Sequence, residues 1–85
     1  MTEHLVGHVT HWYGRNMVAG IHVDHGELHS GDVVHIVGHT SDLEQPVASI
    51  EIEHHVVAEA HEGDEIGIKV GDHVREHDKV YRVLH

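Results

Sequence analysis

An all-β fold of short antiparallel strands is predicted for this 85-residue chain, and three observations predict it. Apolar and polar residues alternate in short runs: Val47, Ser49, Glu51 and Glu53 interleave with Ala48, Ile50 and Ile52, the period of two of a half-buried strand. Turn residues separate these runs at regular intervals, which signals a sandwich or barrel. Gly-Asp recurs at Gly31-Asp32, Gly63-Asp64 and Gly71-Asp72, each time leading into apolar residues. A small closed six- or seven-stranded antiparallel Greek-key-like barrel is favoured, because closure removes edges that so short a sheet could hardly protect.

Length and composition set the frame. Residues 1–85 suffice for a single domain with its own core. With no Cys there is neither a disulfide framework nor a thiolate metal site. No apolar run approaches the ~20 residues of a membrane helix, and Met1-Thr2-Glu3-His4 does not open a signal peptide. A soluble cytoplasmic protein is expected, with no membrane partner. The only aromatic residues are Trp12, Tyr13 and Tyr81, so the core must be built from Val, Ile, Leu and Ala.

The elements follow in order. Residues 5–13 read as a strand with Leu5, Val9 and Tyr13 on one side and Val6, His8, Thr10 and Trp12 on the other. Gly14-Arg15-Asn16 is a three-residue hairpin turn, and residues 17–23 return. A hairpin centred on Arg15 sets Val9 against Ile21 and His8 against His22 on opposite faces. Gly26-Glu27-Leu28-His29-Ser30-Gly31-Asp32 reverses the chain, with Leu28 plugging the core. Residues 33–38 form the third strand, 39–42 a loop, and 45–53 the fourth strand, with the donorless Pro46 at a strand start or edge. Residues 56–62 read as a short strand and turn, although Ala58, Glu59 and Ala60 also suit a helix. Residues 65–70 and 79–84 complete the set. Leu5, Val9, Ile21, Leu28, Val34, Ile36, Ile50, Ile52, Ile66, Ile68 and Val80 are expected inside, and Gly26, Gly31, Gly63 and Gly71 at turns.

The succession Gly7-x-Val9, Val18-Ala19-x-Ile21, Gly26-x-Leu28-x-x-Gly31-Asp32, Val47-x-Ser49-Ile50 and Ala60-x-x-Gly63-Asp64-x-x-Gly67-Ile68 resembles the second-domain β-barrel of translational GTPases such as elongation factor Tu. Within that group it looks most like stand-alone translation elongation factor-like proteins. It is also similar to the C-terminal barrel of collagenase-like peptidases. The resemblance implies a small closed barrel acting as a non-catalytic binding module, with RNA or a translation-related protein as partner. No Gly-x-x-x-x-Gly-Lys-Ser/Thr is present, so the resemblance brings no GTP chemistry.

Charge departs from that pattern. Fifteen acids face five Lys or Arg, giving −10 with His neutral, whereas nucleic-acid binders are usually basic. Fourteen His accompany them. Eight (His4, His8, His22, His25, His29, His61, His73 and His77) stand at exposed-looking positions where Lys, Arg or other polar residues are expected. Two origins account for this: an engineered or de novo barrel in which His replaces basic residues, or a natural His-rich protein. Protonating the His would reverse the sign of the net charge, so binding to RNA or another anion is expected only on the acid side of neutrality.

Metal binding needs converging ligands at ~2.0–2.3 Å. His four apart on one strand lie ~13 Å apart, too far to share an ion. Cross-strand neighbours can share one, and His8 with His22 is the best pair for weak binding of a divalent transition metal. His25 with His29 and His73 with His77 are lesser candidates. No cofactor is expected. Ser30, Ser41 and Ser49 lack a Gly-x-Ser-x-Gly elbow, and acids such as Asp64-Glu65 fall in turns, so the chain reads as a non-enzyme.

Overall fold

The computed structural model describes residues 2–84, and every regular element among them is a strand. In chain order these are β1 (Thr2–Tyr13), β2 (Val18–Val23), β3 (Glu27–His29), β4 (Val33–Val37), β5 (Asp42–Pro46), β6 (Ile50–Ile52), β7 (His55–Val57), β8 (Glu59–His61), β9 (Glu65–Lys69) and β10 (Lys79–Leu84). Eight form one antiparallel sheet in the order β5-β4-β10-β1-β2-β9-β6-β7, and β3 pairs with β8 in a second. The all-β antiparallel expectation therefore holds, with more and shorter strands than six or seven. The sheet does not close into a barrel: β5 and β7 are its two ends. Pro46, which has no N–H, ends β5, and β7 is three residues long. The β3–β8 ribbon supplies Leu28 and Ala60, both fully buried, to the same core.

The first hairpin meets the expected register by an unexpected route. Val9 pairs with Ile21 and His8 with His22. Nearer the turn, however, Tyr13 pairs with Val18 and His11 with Gly20, because the register shifts at Thr10. The turn is one residue longer than expected, with Met17 at φ 56, and the bulge takes up the difference. A second bulge, at Val6, lies where β1 pairs with β10. A bulge turns the following side chains to the other face. Val6, Val9 and Trp12 consequently point to the core, while Leu5 is 38% and Tyr13 51% exposed, contrary to the period-two reading. Burying a side chain such as Val6 contributes about 1.5–3 kcal/mol, more than the ~1 kcal/mol of a disturbed ladder bond. The disturbed backbone is also re-paired: Val6 O accepts from Asp24 and His25 N–H, and Val9 exchanges bonds with His77 and Asp78.

The other expected core residues are buried, save Ile52, which is half-buried at the short β6. The strand expected over 45–53 is two strands, and its start lies earlier, at Asp42. Between them Val47 takes its backbone bonds from Gly31 and Asp32 and buries its side chain. There the chain leaves β4 for β9. Residues 55–61 hold β7 and β8 and no helix.

Three turns share one geometry. In His29-Ser30-Gly31-Asp32 and His61-Glu62-Gly63-Asp64, the Asp carboxylate accepts the His backbone N–H at 2.8 Å, and the Asp N–H returns a bond to the His carbonyl at 3.0 Å. The third copy is Arg75-Glu76-His77-Asp78, with the same two bonds at 2.9 and 3.1 Å. It is not at Gly71-Asp72, where the sequence pattern placed it. Gly31 and Gly63 stand at φ 93 and 94; in the third turn His77 holds that conformation, at φ 77.

Candidate functional site

The site grows out of the sheet register. Gly20 pairs with Gly67, and Gly67 with Glu51, so these three positions lie side by side across β2, β9 and β6. Their chain neighbours Ala19, Ile66 and Ile68 are buried, so this row faces outward. Two adjacent glycines put no side chain of their own on the floor of a groove of ≈ 350 Å³, walled by Tyr13, Val18, Glu51, Glu53 and Glu65; Gly67 lies against Val18 and Gly20 is buried. The Tyr13 ring leans over Gly20, where a Cβ would lie 3.3 Å from its Cε2. It also packs against His11, with ring centroids 4.3 Å apart. At the other end Glu65 is held by His22, whose Nδ1–H donates to Oε1 at 2.6 Å. A glycine floor, one aromatic wall and three carboxylates suit an extended polypeptide carrying positive charge.

The expected metal pair lies on this same outward face. His8 and His22 are cross-strand neighbours with ring centroids 5.8 Å apart. Each spends its Nδ1 on a different acid: His8 donates to Asp24 Oδ2 at 2.7 Å, and His22 donates to Glu65. The hydrogen bond from His8 holds the Asp24 carboxyl below its usual range, against a smaller opposing effect of burial. Among the described residues, three ligand atoms from three side chains converge in two other places: at Glu3, His35 and Glu44, and at Glu27, Glu59 and His61. Neither His25 with His29 nor His73 with His77 joins such a group; His73 packs against Trp12 instead.

His35 is gripped on both sides. Its Nδ1 lies 2.7 Å from Glu3 Oε2 and its Nε2 2.6 Å from Asp42 Oδ1. Ionised carboxylates only accept, so the two contacts favour the doubly protonated imidazolium over the neutral ring. The Asp42 hydrogen bond chiefly, and Glu3 with it, pushes the His35 pKa up against the opposing effect of burial. Ser30, Ser41 and Ser49 form no hydrogen bond with a His among the described residues. No helix among them is long and apolar enough to cross a membrane.

The groove was missed in the sequence. A Gly in each of two strands reads as weakness until the register shows them adjacent. Tyr13 was assigned inward because the Thr10 bulge leaves no mark in the alternation.

The fold is shared with solved structures. The C-terminal domain of an assigned U32 peptidase from Geobacillus thermoleovorans superposes with a TM-score of 0.87, covering 95% of this chain and 93% of that one at 17% identity. Its selenomethionine variant superposes with a TM-score of 0.83 over 89% of this chain and 95% of the other, at 18% identity. These likenesses establish the shared fold. In sequence, the chain is 38% identical over 77 residues to an uncharacterized protease of Methanocaldococcus jannaschii, and 38% identical over 78 residues to a collagenase of Porphyromonas gingivalis. Those matches cover 89% and 91% of this chain but only 19% and 22% of the two relatives. The chain thus spans about a fifth of the length of the curated relatives it matches. No family model matches it.

These findings correct the main resemblance drawn from the motifs. The similarity falls on peptidases, not on the second domain of translation factors. The Gly-Asp turns that suggested the latter are local turn chemistry, closed by bonds between an Asp and the residue three places before it, and a fold feature of this kind does not fix a function. With that resemblance go the RNA and translation-protein partners inferred from it. The engineered, partnerless barrel likewise has no support beside natural proteases at 38% identity.

Proposed function

We propose that this domain is a non-catalytic substrate-binding module of a U32-type peptidase, and that its outward groove holds an extended, glycine-rich, basic segment of the protein being cleaved. The observation that carries the reading is the Gly20–Gly67 floor beneath Tyr13, rimmed by Glu51, Glu53 and Glu65. Glycine opposite glycine lets Tyr13 and Val18 lie close over the sheet, the aromatic ring offers a flat apolar wall, and the carboxylates select cations. The likeness to a collagenase and to the C-terminal domain of a U32 peptidase supports a polypeptide as the occupant. The relatives have ample further length in which catalysis can reside.

The test is fluorescence anisotropy with a labelled peptide of repeated Gly-Pro-Arg triplets and its Gly-Pro-Glu counterpart. Binding of the basic peptide alone is expected, weakening with salt and falling about tenfold, or ~1.4 kcal/mol, in Tyr13→Ala and in Glu51→Gln/Glu65→Gln. Equal binding of both peptides, or no loss in either variant, would overturn the reading.

A further inference from the structure

The β3–β8 ribbon carries a second arrangement, unrelated to the groove. Its strands are two copies of one pattern, Glu27-Leu28-His29 and Glu59-Ala60-His61. Antiparallel pairing sets Glu27 opposite His61 and His29 opposite Glu59, about the central pair Leu28–Ala60. Because Leu28 and Ala60 are fully buried, the four flanking side chains project to solvent on one face, with Glu and His alternating both along and across the strands.

The Glu59 carboxylate lies between the two rings. Its Oε2 is 3.1 Å from His29 Nε2, and its Oε1 is 3.8 Å from His61 Nε2. Glu27 Oε2 is 3.4 Å from His61 Nδ1. One ligand atom each from Glu27, Glu59 and His61 falls within 4.8 Å of the others. Around a tetrahedral zinc with bonds near 2.0–2.1 Å, neighbouring ligand atoms are about 3.3–3.5 Å apart. The ribbon is the rigid part: Leu28 and Ala60 anchor it in the core, and Asp32 and Asp64 close a turn at the end of each strand.

We propose that this face binds one divalent transition-metal ion of the zinc class through His61, Glu59 and Glu27, whose ligand atoms converge, with His29, 3.1 Å from Glu59, as the fourth ligand. Two imidazoles and two carboxylates form a borderline-soft nitrogen and oxygen set that favours zinc, nickel or copper over magnesium or calcium. The other two clusters fit less well. At Glu3, His35 and Glu44 both His35 nitrogens are already taken up by acids, so a metal must displace both contacts. At His8 and His22 the Asp24 carboxylate lies 2.7 Å from His8 Nδ1 and 3.7 Å from His22 Nε2, but Glu65 holds His22 Nδ1, and no group of three mutually convergent ligand atoms forms there among the described residues.

Zinc titration of the 85-residue chain by calorimetry at pH 7.5 tests this, with circular dichroism to verify the fold of each variant. One site tighter than the remaining surface His is expected, lost at least about tenfold in His29→Ala/His61→Ala and retained within about twofold in His8→Ala/His22→Ala. Glu59→Gln keeps the size of the side chain and both histidines, so it reports on the site even if the double His variant folds poorly; a loss of about tenfold is expected there too. An unchanged isotherm in Glu59→Gln, or a tight site removed only by the His8/His22 pair, would overturn the assignment.

Discussion

The turns at 29–32 and 61–64 and the turn at 75–78 are the same device built under different constraints. All three close on a reciprocal pair of bonds between an Asp and the residue three places before it. The first two meet the positive φ with Gly31 and Gly63, and their Asp side chains remain partly open to water. The third puts His77 in the strained position, and its Asp78 is 5% exposed. All three dock on a remote segment through the same two backbone bonds: Gly31 and Asp32 with Val47, Gly63 and Asp64 with Val23, and His77 and Asp78 with Val9 on β1. The docking is shared, so the difference lies in the residue at the positive φ: glycine adopts it freely, whereas the third turn holds His77 in a conformation that the residue itself disfavours.

Removing the carboxylates separates the two cases most sharply. Asp78→Ala leaves the part-buried Arg75 N–H without its acceptor and should cost about 2–3 kcal/mol. Asp64→Ala, at an exposed hydrogen bond, should cost about 1 kcal/mol. Urea midpoints of the two variants measure the difference, and equal losses would break the comparison. Next in size, Gly31→Ala and Gly63→Ala should each lower stability by about 1 kcal/mol. Nothing lies within 4 Å of either new Cβ, so only backbone strain acts. In the reverse direction, His77→Gly should raise stability by about 0.5 kcal/mol. It relieves about 1–2 kcal/mol of left-handed strain and returns part of it as entropy of the unfolded chain. A destabilised His77→Gly would show that the imidazole itself contributes to docking.

The smallest effect concerns a histidine in a place that suits it. His35 sits on an extended strand between Glu3 and Asp42, and its pKa is raised in the folded state. Its contribution is therefore complete below the unfolded value near 6.5 and is lost as pH rises through the folded pKa. Asp24 has the opposite sign: its lowered pKa contributes above about 3.8, and the contribution is lost as pH falls through the folded value. Thermal melts across pH 4 to 8.5 should show His35→Gln removing the decline that sets in above about 6.5, by a few tenths of a kcal/mol, as for partly exposed ion pairs. An identical pH profile in parent and variant would detach His35 from that decline.

The same contrast explains what could be read in advance. Features that carry a local residue signal were legible: the Gly31 and Gly63 turns with their glycine at the positive φ, the alternation of β9, and Leu28 as a core plug. Features without such a signal were not. The bulges at Val6 and Thr10 depend on β10, on the end of β2 and on the 75–78 turn. They reversed the faces of Leu5 and Tyr13 and hid the groove. His77 carries none of the glycine signal that would have located the third turn. The pairing of His8 with His22 emerged correctly because a longer turn and a bulge offset one another. The Glu-x-His repeat at 27–29 and 59–61 stood in the sequence, but it acquires meaning only when β3 and β8 are known to be neighbours.

β10 lies between β1 and β4, so the sheet's middle is assembled from the first strand and the last. A chain emerging from the ribosome can pair β1 with β2, β2 with β9 and β4 with β5, yet it holds two separate half-sheets until residue 84 is free. Long-range pairing of this kind slows folding and leaves the facing edges of β1 and β4 exposed meanwhile. Deleting β10 would therefore not trim the domain but leave two half-sheets, each with an open edge ready to join another chain.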